Sequence, residues 1–131
     1  MNGSAPRRDA LTIDGPAGRI EALLESPRSA DGGRVAVLCH PHPLHQGTMT
    51  NKVVHTLSRS MNELGMPAIR FNFRGVGASE GTFADGVGET DDALAVCDWA
   101  AQRYPGAALY LLGFSFGGMI AANAALTARP A

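Results

Sequence analysis

The run R-V-A-V-L-C at residues 34–39 constrains the fold more than any other stretch. It is too short for a helix and shows no alternation of apolar and polar positions. A Val-rich run of this kind suits a strand covered on both faces of a sheet. Helix and strand then alternate behind it. Residues 51–64 place apolar side chains at 53, 54, 57, 61 and 64, a helical spacing, and Gly65 follows as a stop. P-A-I-R-F-N-F at 67–73 reads as a strand. Residues 89–104 read as a helix with Glu89, Asp91 and Asp92 near its positive end, and Pro105-Gly106 closes it. A-L-Y-L-L at 108–112 is a strand, and residues 116–128 form a helix that is apolar nearly all round. This alternation predicts an α/β fold, a mostly parallel sheet with helices on both faces. Two short strands, Leu11–Asp14 and Arg19–Glu25, flank the turn Gly15-Pro16-Ala17-Gly18 and are expected to pair antiparallel at an edge.

A length of 131 residues argues for one domain, 1–131. Apolar residues make up 45% and charged residues 18%, which is globular composition. The formal net charge of -1 gives no electrostatic reason to expect nucleic acid or an anionic membrane as a partner. No uncharged apolar run approaches the roughly 18 residues that span a bilayer, and the two N-terminal arginines have no apolar stretch behind them, so no signal peptide is expected. Cys39 and Cys97 lie inside apolar runs, without CxxC spacing. They read as buried free thiols, which fits a cytoplasmic location.

The stretch G-F-S-F-G-G at 113–118 supplies the chemistry. A serine between glycines, after an apolar strand and before an apolar helix, sits on a tight strand-to-helix turn that exposes its hydroxyl. Serine is a weak nucleophile until a base takes its proton and donors hold the oxyanion that forms. The Phe116 N–H lies at the start of the helix and is one expected donor. The loop C-H-P-H-P-L-H-Q-G-T-M at 39–49 leaves the same sheet edge, and counting from the strand end gives the His42 N–H as the second. The alternative for Ser115 is a helix cap in a Rossmann-like domain. The alternative for His40 and His42 is loop packing and hydrogen bonding.

Two further readings are weaker. His40, His42 and His45 invite a metal, but no Asp or Glu stands near them, and no metal is expected. R-G-V-G-A-S-E-G at 74–81 resembles a dinucleotide loop, but it follows the fourth strand and no helix opens on it directly. It is expected to be a glycine-rich turn near the site, with Arg74 hydrogen-bonding backbone and no cofactor.

Taken together, H-P-H-P at 40–43, G-T-M-T-N-K at 47–52, R-F-N-F-R-G-V-G-A-S at 70–79 and G-F-S-F-G at 113–117 resemble a bacterial group of predicted hydrolases in the α/β-hydrolase superfamily. The resemblance covers residues 11–128 in order. It implies an esterase-like serine hydrolase with Ser115 as nucleophile, an acyl-enzyme intermediate, a small ester-like substrate and no cofactor. There are two departures. Gln46 stands where a second glycine is expected. The superfamily also places its acid and histidine after the serine, whereas the four histidines here, at 40, 42, 45 and 55, all precede it. The expectation is therefore a domain truncated after the elbow, the N-terminal part of a hydrolase that is inactive as this short chain. The alternatives are a non-catalytic relic that binds a ligand or partner, or an enzyme completed by His40, by His42 or by another chain. In the family the strand before the elbow is central. Here it is expected to pair on one side only and to promote self-association.

Overall fold

The structure, a computed structural model, describes residues 7–30 and 32–127. Strands β1 (Arg7–Gly15) and β2 (Gly18–Ser26) form an antiparallel hairpin. Both are longer than their apolar cores predict. Their register runs unbroken from Arg7 opposite Ser26 to Gly15 opposite Gly18, because the backbone ladder needs no apolar side chains at its solvent-facing positions.

The other elements are β3 (Arg34–Cys39), α1 (Lys52–Glu63), β4 (Ala68–Phe71), α2 (Val87–Arg103), β5 (Ala108–Gly113) and α3 (Phe116–Thr127). A short 3-10 turn, Pro43–His45, lies between β3 and α1. The five strands form one sheet in the order β1-β2-β4-β3-β5. β2 pairs antiparallel with β4, and β4, β3 and β5 run parallel. The expected fold class and element order are found. The far end of the last helix, at residue 128, lies outside the described residues, as do the first six residues read for a signal peptide.

The two faces of β3 explain its apolar run. Ala36 and Leu38 face α1, where Val54, Leu57 and Met61 meet Met66 and Ala68. Val35, Val37 and Cys39 face α2 and α3, packing with Ile69, Phe71, Ala93, Val96 and Ile120. Asn51 starts α1, accepting the Val53 and Val54 N–H groups on its side-chain oxygen. α2 starts two residues before its expected position. The Glu89 carboxylate turns back to accept the N–H groups of Ala84 and Gly86 at 2.8 and 2.9 Å, which caps the first turn. Cys39 and Cys97 are buried free thiols, and burial pushes Cys97 up to about 12. No helix among the described residues is long and apolar enough to cross a membrane.

One polar group breaks the apolar pattern of the sheet. Arg70, in the centre of β4, is buried, and its Nε donates to Glu25 of β2 at 2.8 Å. Ser58 of α1 donates to the same carboxylate, and Arg8 of β1 pairs with its other oxygen at 3.0 Å. Burial alone would raise the Glu25 carboxyl. The hydrogen bonds from Arg70 and Ser58 and the two positive charges outweigh it, so Glu25 sits below its ordinary range. Arg70→Met is expected to destabilise the fold by about 3 kcal/mol, since removing one partner strands a buried charge. Urea denaturation at neutral pH measures it. Because the folded-state pKa of Glu25 is depressed, its contribution is full above the unfolded value of about 4.3 and is lost as pH falls through the folded value. Glu25→Gln should flatten that part of the acid limb. An acid limb identical to that of the parent chain would rule the carboxylate out as its source.

Candidate active site

Ser115 lies between β5 and α3, exposed, at φ 59. A non-glycine residue in the left-handed region is strained by about 1–3 kcal/mol and persists only where its surroundings over-determine it. Here two glycines do so. A Cβ on Gly113 would run into the carbonyl of Gly117, and a Cβ on Gly117 would run into the carbonyls of Cys39 and His40. The elbow is thus pressed against the end of β3. The Gly117 N–H returns to the Phe114 carbonyl at 3.0 Å and the Gly118 N–H to the Ser115 carbonyl at 2.9 Å, which opens the helix. Among the described residues, neither the Ser115 hydroxyl nor the Phe116 N–H enters a hydrogen bond.

The loop after β3 lies beside the elbow, as its exit from the same sheet edge requires. The His42 ring packs on the Phe116 ring at 4.6 Å and on Phe83 at 5.0 Å, and it stacks on His45 at 4.7 Å. His42 Nδ1 accepts the Leu44 N–H at 3.1 Å, and the His42 carbonyl accepts the N–H groups of His45 and Gly47 at 3.0 Å. These bonds curl the loop and leave the His42 N–H without a partner among the described residues. Gly47 closes the curl because a Cβ there would meet the Pro41 and His42 carbonyls. Gln46, where the family resemblance implies a glycine, adopts φ 65. The backbone keeps the glycine-like conformation and the side chain bears the strain.

His40 does not serve as a base. It is fully buried and edge-on to Phe73, with ring centroids 4.6 Å apart. Its Nδ1 donates to the Pro41 carbonyl at 2.7 Å, and its Nε2 accepts the Phe73 N–H at 3.1 Å. Both nitrogens are occupied by the backbone, which fixes the neutral tautomer. Burial drives the ring down to about 4, against the opposing hydrogen bond to Pro41.

The 74–81 loop is structural. Arg74 holds the buried Asp92 of α2 through Nη2 at 2.8 Å and Nε at 3.1 Å, and its backbone N–H donates to the same carboxylate at 2.9 Å. The sequence reading had Arg74 bonding backbone. The carboxylate wins because Asp92 is buried on the facing turn and needs a charged partner. Asn72 ties three segments together. Its Oδ1 accepts the Met49 N–H at 2.8 Å, its Nδ2 donates to Glu21 at 2.8 Å, and its carbonyl accepts the Ser79 hydroxyl at 2.6 Å. Sequence reasoning named the R-F-N-F stretch but gave neither Asn72 nor Phe83 a role. The polar Asn between two Phe residues in a buried strand was the available signal. No group of three or more His, Cys, Asp or Glu among the described residues could hold a metal ion.

Residues 44–131 match the family described as the alpha/beta hydrolase fold. An uncharacterized protein of Rickettsia prowazekii (strain Madrid E) is 47% identical over 112 residues, which is 85% of this chain and 47% of that protein. An alpha-beta serine hydrolase homologue from Coxiella burnetii superposes with a TM-score of 0.89 at 43% identity, covering 92% of this chain and 58% of the homologue. A serine hydrolase without a lid from Xanthomonas campestris superposes with a TM-score of 0.88 at 39% identity, covering 99% of this chain and 60% of the other. The chain thus spans between 47% and 60% of the length of these proteins.

The buried state of His40 has a pH signature. Its folded pKa lies below the unfolded value of about 6.5, so the unfolded chain binds the extra proton first. Stability from this group is full above about pH 6.5 and declines as pH falls toward about 4. A proton NMR titration should show one imidazole that stays neutral at pH 5.5. A His40 resonance titrating near 6.5 would mean that the ring is solvated.

Proposed function

The chain belongs to the α/β-hydrolase family, and we propose that Ser115 is the nucleophile of a serine hydrolase acting on small ester-like substrates. The observation that carries this reading is the strained turn at Ser115, held at φ 59 by two glycines with no room for a Cβ. Such a turn lifts the hydroxyl clear of the strand end at the mouth of a helix. The Ser115 oxygen attacks the carbonyl carbon while its proton passes to a base. The carbonyl electron pair moves onto oxygen, where the Phe116 and His42 N–H groups receive it. Collapse expels the alcohol, which takes the proton, and leaves an acyl-enzyme that water then cleaves.

The base and its acid partner come from groups other than the described residues. None of the four histidines is hydrogen-bonded to Ser115, and His40 is committed to backbone. The residues described belong to a single hydrolase domain, and the two unpaired thiols suit a cytoplasmic setting. No cofactor takes part in this chemistry. By itself the 131-residue chain is a poor catalyst.

A p-nitrophenyl acetate assay on the purified chain and on Ser115→Ala tests this reading. The expected result is slow, Ser115-dependent turnover at the residual level left when a triad member is missing, roughly 10³–10⁴ over water. Full-rate turnover would restore His42 as the base. The absence of any turnover above the buffer rate would favour a non-catalytic binding domain, and turnover unchanged in Ser115→Ala would exclude Ser115 as the nucleophile. The second donor can be tested separately. His42 has φ -54, which proline adopts without strain. His42→Pro therefore removes the N–H and keeps the backbone, and it should slow the residual reaction by about 10²–10³ relative to His42→Ala.

Self-association through β5 is a second expected property. β5 pairs with β3 alone among the described residues, and Leu109 and Tyr110 are exposed along it. An apolar strand with an unpaired ladder recruits other chains. Sedimentation should show oligomers or aggregates that Tyr110→Lys shifts toward monomer. A parent chain that stays monomeric at every concentration would end this proposal.

A further inference from the structure

A cavity of about 620 Å³ lies far from Ser115, between the β1–β2 hairpin and the second half of α1. Its wall includes Glu25, which pairs in register with Ala68 at the start of β4, whereas Ser115 follows the other end of the parallel strands. We propose that this cavity binds a small anion, a phosphate or carboxylate. The volume lies within the range of about 300–1,000 Å³ typical of small-molecule sites.

Three arginines from three segments reach it: Arg8 from β1, Arg28 from the β2–β3 connection and Arg59 from α1. Two acids, Glu25 and Glu63, also line it. Glu25 is already opposed by two guanidinium groups, Arg8 at 3.0 Å and Arg70 at 2.8 Å. The cavity therefore carries excess positive charge. Arg59 enters no ion pair among the described residues, so its fork is available to an oxyanion. Asn62 braces the cavity wall. Its Nδ2 donates to the Glu25 and Met66 carbonyls, both at 2.9 Å, which fixes the amide orientation. Its Oδ1 is left buried without a partner, on a residue that lines the cavity. The site stands at the opposite side of the sheet from β5, so association through β5 leaves it open.

The test is a titration of the full chain with inorganic phosphate, and separately with citrate, followed by amide chemical shifts and calorimetry. Arg59→Glu and Arg59→Gln are run beside it. Arg59 is exposed on α1, so neither change disturbs the core. Saturable binding is expected, with shifts centred on Arg8, Arg59 and Asn62. It should weaken about tenfold in Arg59→Gln and vanish in Arg59→Glu, as loss of a charge-assisted pair requires. Ser115→Ala should bind as the parent chain does. Binding of phosphate but not citrate assigns the site to phosphate esters, and the reverse assigns it to carboxylates. No saturable binding of either probe, binding unchanged in Arg59→Glu, or shifts centred on Ser115 would overturn the proposal.

Discussion

The absence of a side chain at Gly117 sets the geometry of the whole site. The first turn of α3 lies so close to the end of β3 that a single Cβ would strike the carbonyls of Cys39 and His40. That approach fixes three things together. It forces the chain between β5 and α3 through a left-handed residue, which is Ser115. It brings the loop after β3 against the elbow, where the His42 ring meets Phe116. It also traps His40 in a dry position where only a neutral ring fits. A parallel β3–β5 pair supplies the framework, since parallel neighbours end at the same sheet edge.

A second layer of polar contacts holds the loops that frame this edge. His40 joins its own loop to the Phe73 backbone, and Asn72 joins Met49, Glu21 and Ser79. Arg74 and Asp92 anchor the next loop to α2, and Glu89 caps that helix. His40, Met49, Asn72, Phe73, Arg74 and Ser79 lie in or beside the stretches that carry the family resemblance, and Glu21, Glu89 and Asp92 reach them from outside. Their part is to hold backbone, so the loops present N–H groups while the buried side chains stay fully satisfied. The polar side chains of the motifs are mainly supports, whereas the Ser115 hydroxyl enters no hydrogen bond among the described residues.

The two ends of the sheet differ in character. Beside the elbow the rings of Phe83, Phe116 and His42 pack together. At the other end the buried Glu25–Arg70 pair is joined by the exposed Arg8 at a basic cavity. A cluster of guanidinium groups favours a ligand that is already charged.

The sequence by itself determined the element order, the antiparallel hairpin, the helices on both faces and the elbow. Each of these rests on local signals: buried runs of strand length, helical periodicity, and glycines flanking one serine. It also marked residue 46 as a glycine-like position, and the backbone there is left-handed although the residue is Gln46. What only the tertiary structure decided is how side chains far apart in sequence are paired. His40 read from sequence either as a loop-packing residue or as an unusual base, and residue 73, thirty-three positions on, claims its second nitrogen. Arg74 looked like a backbone donor, but Asp92, eighteen residues on, claims it. Arg8 and Ser58 belong to no motif, yet with Arg70 they converge on the Glu25 carboxylate. Burial and hydrogen-bond satisfaction are properties of neighbours in space, and no local spacing encodes which neighbours those are.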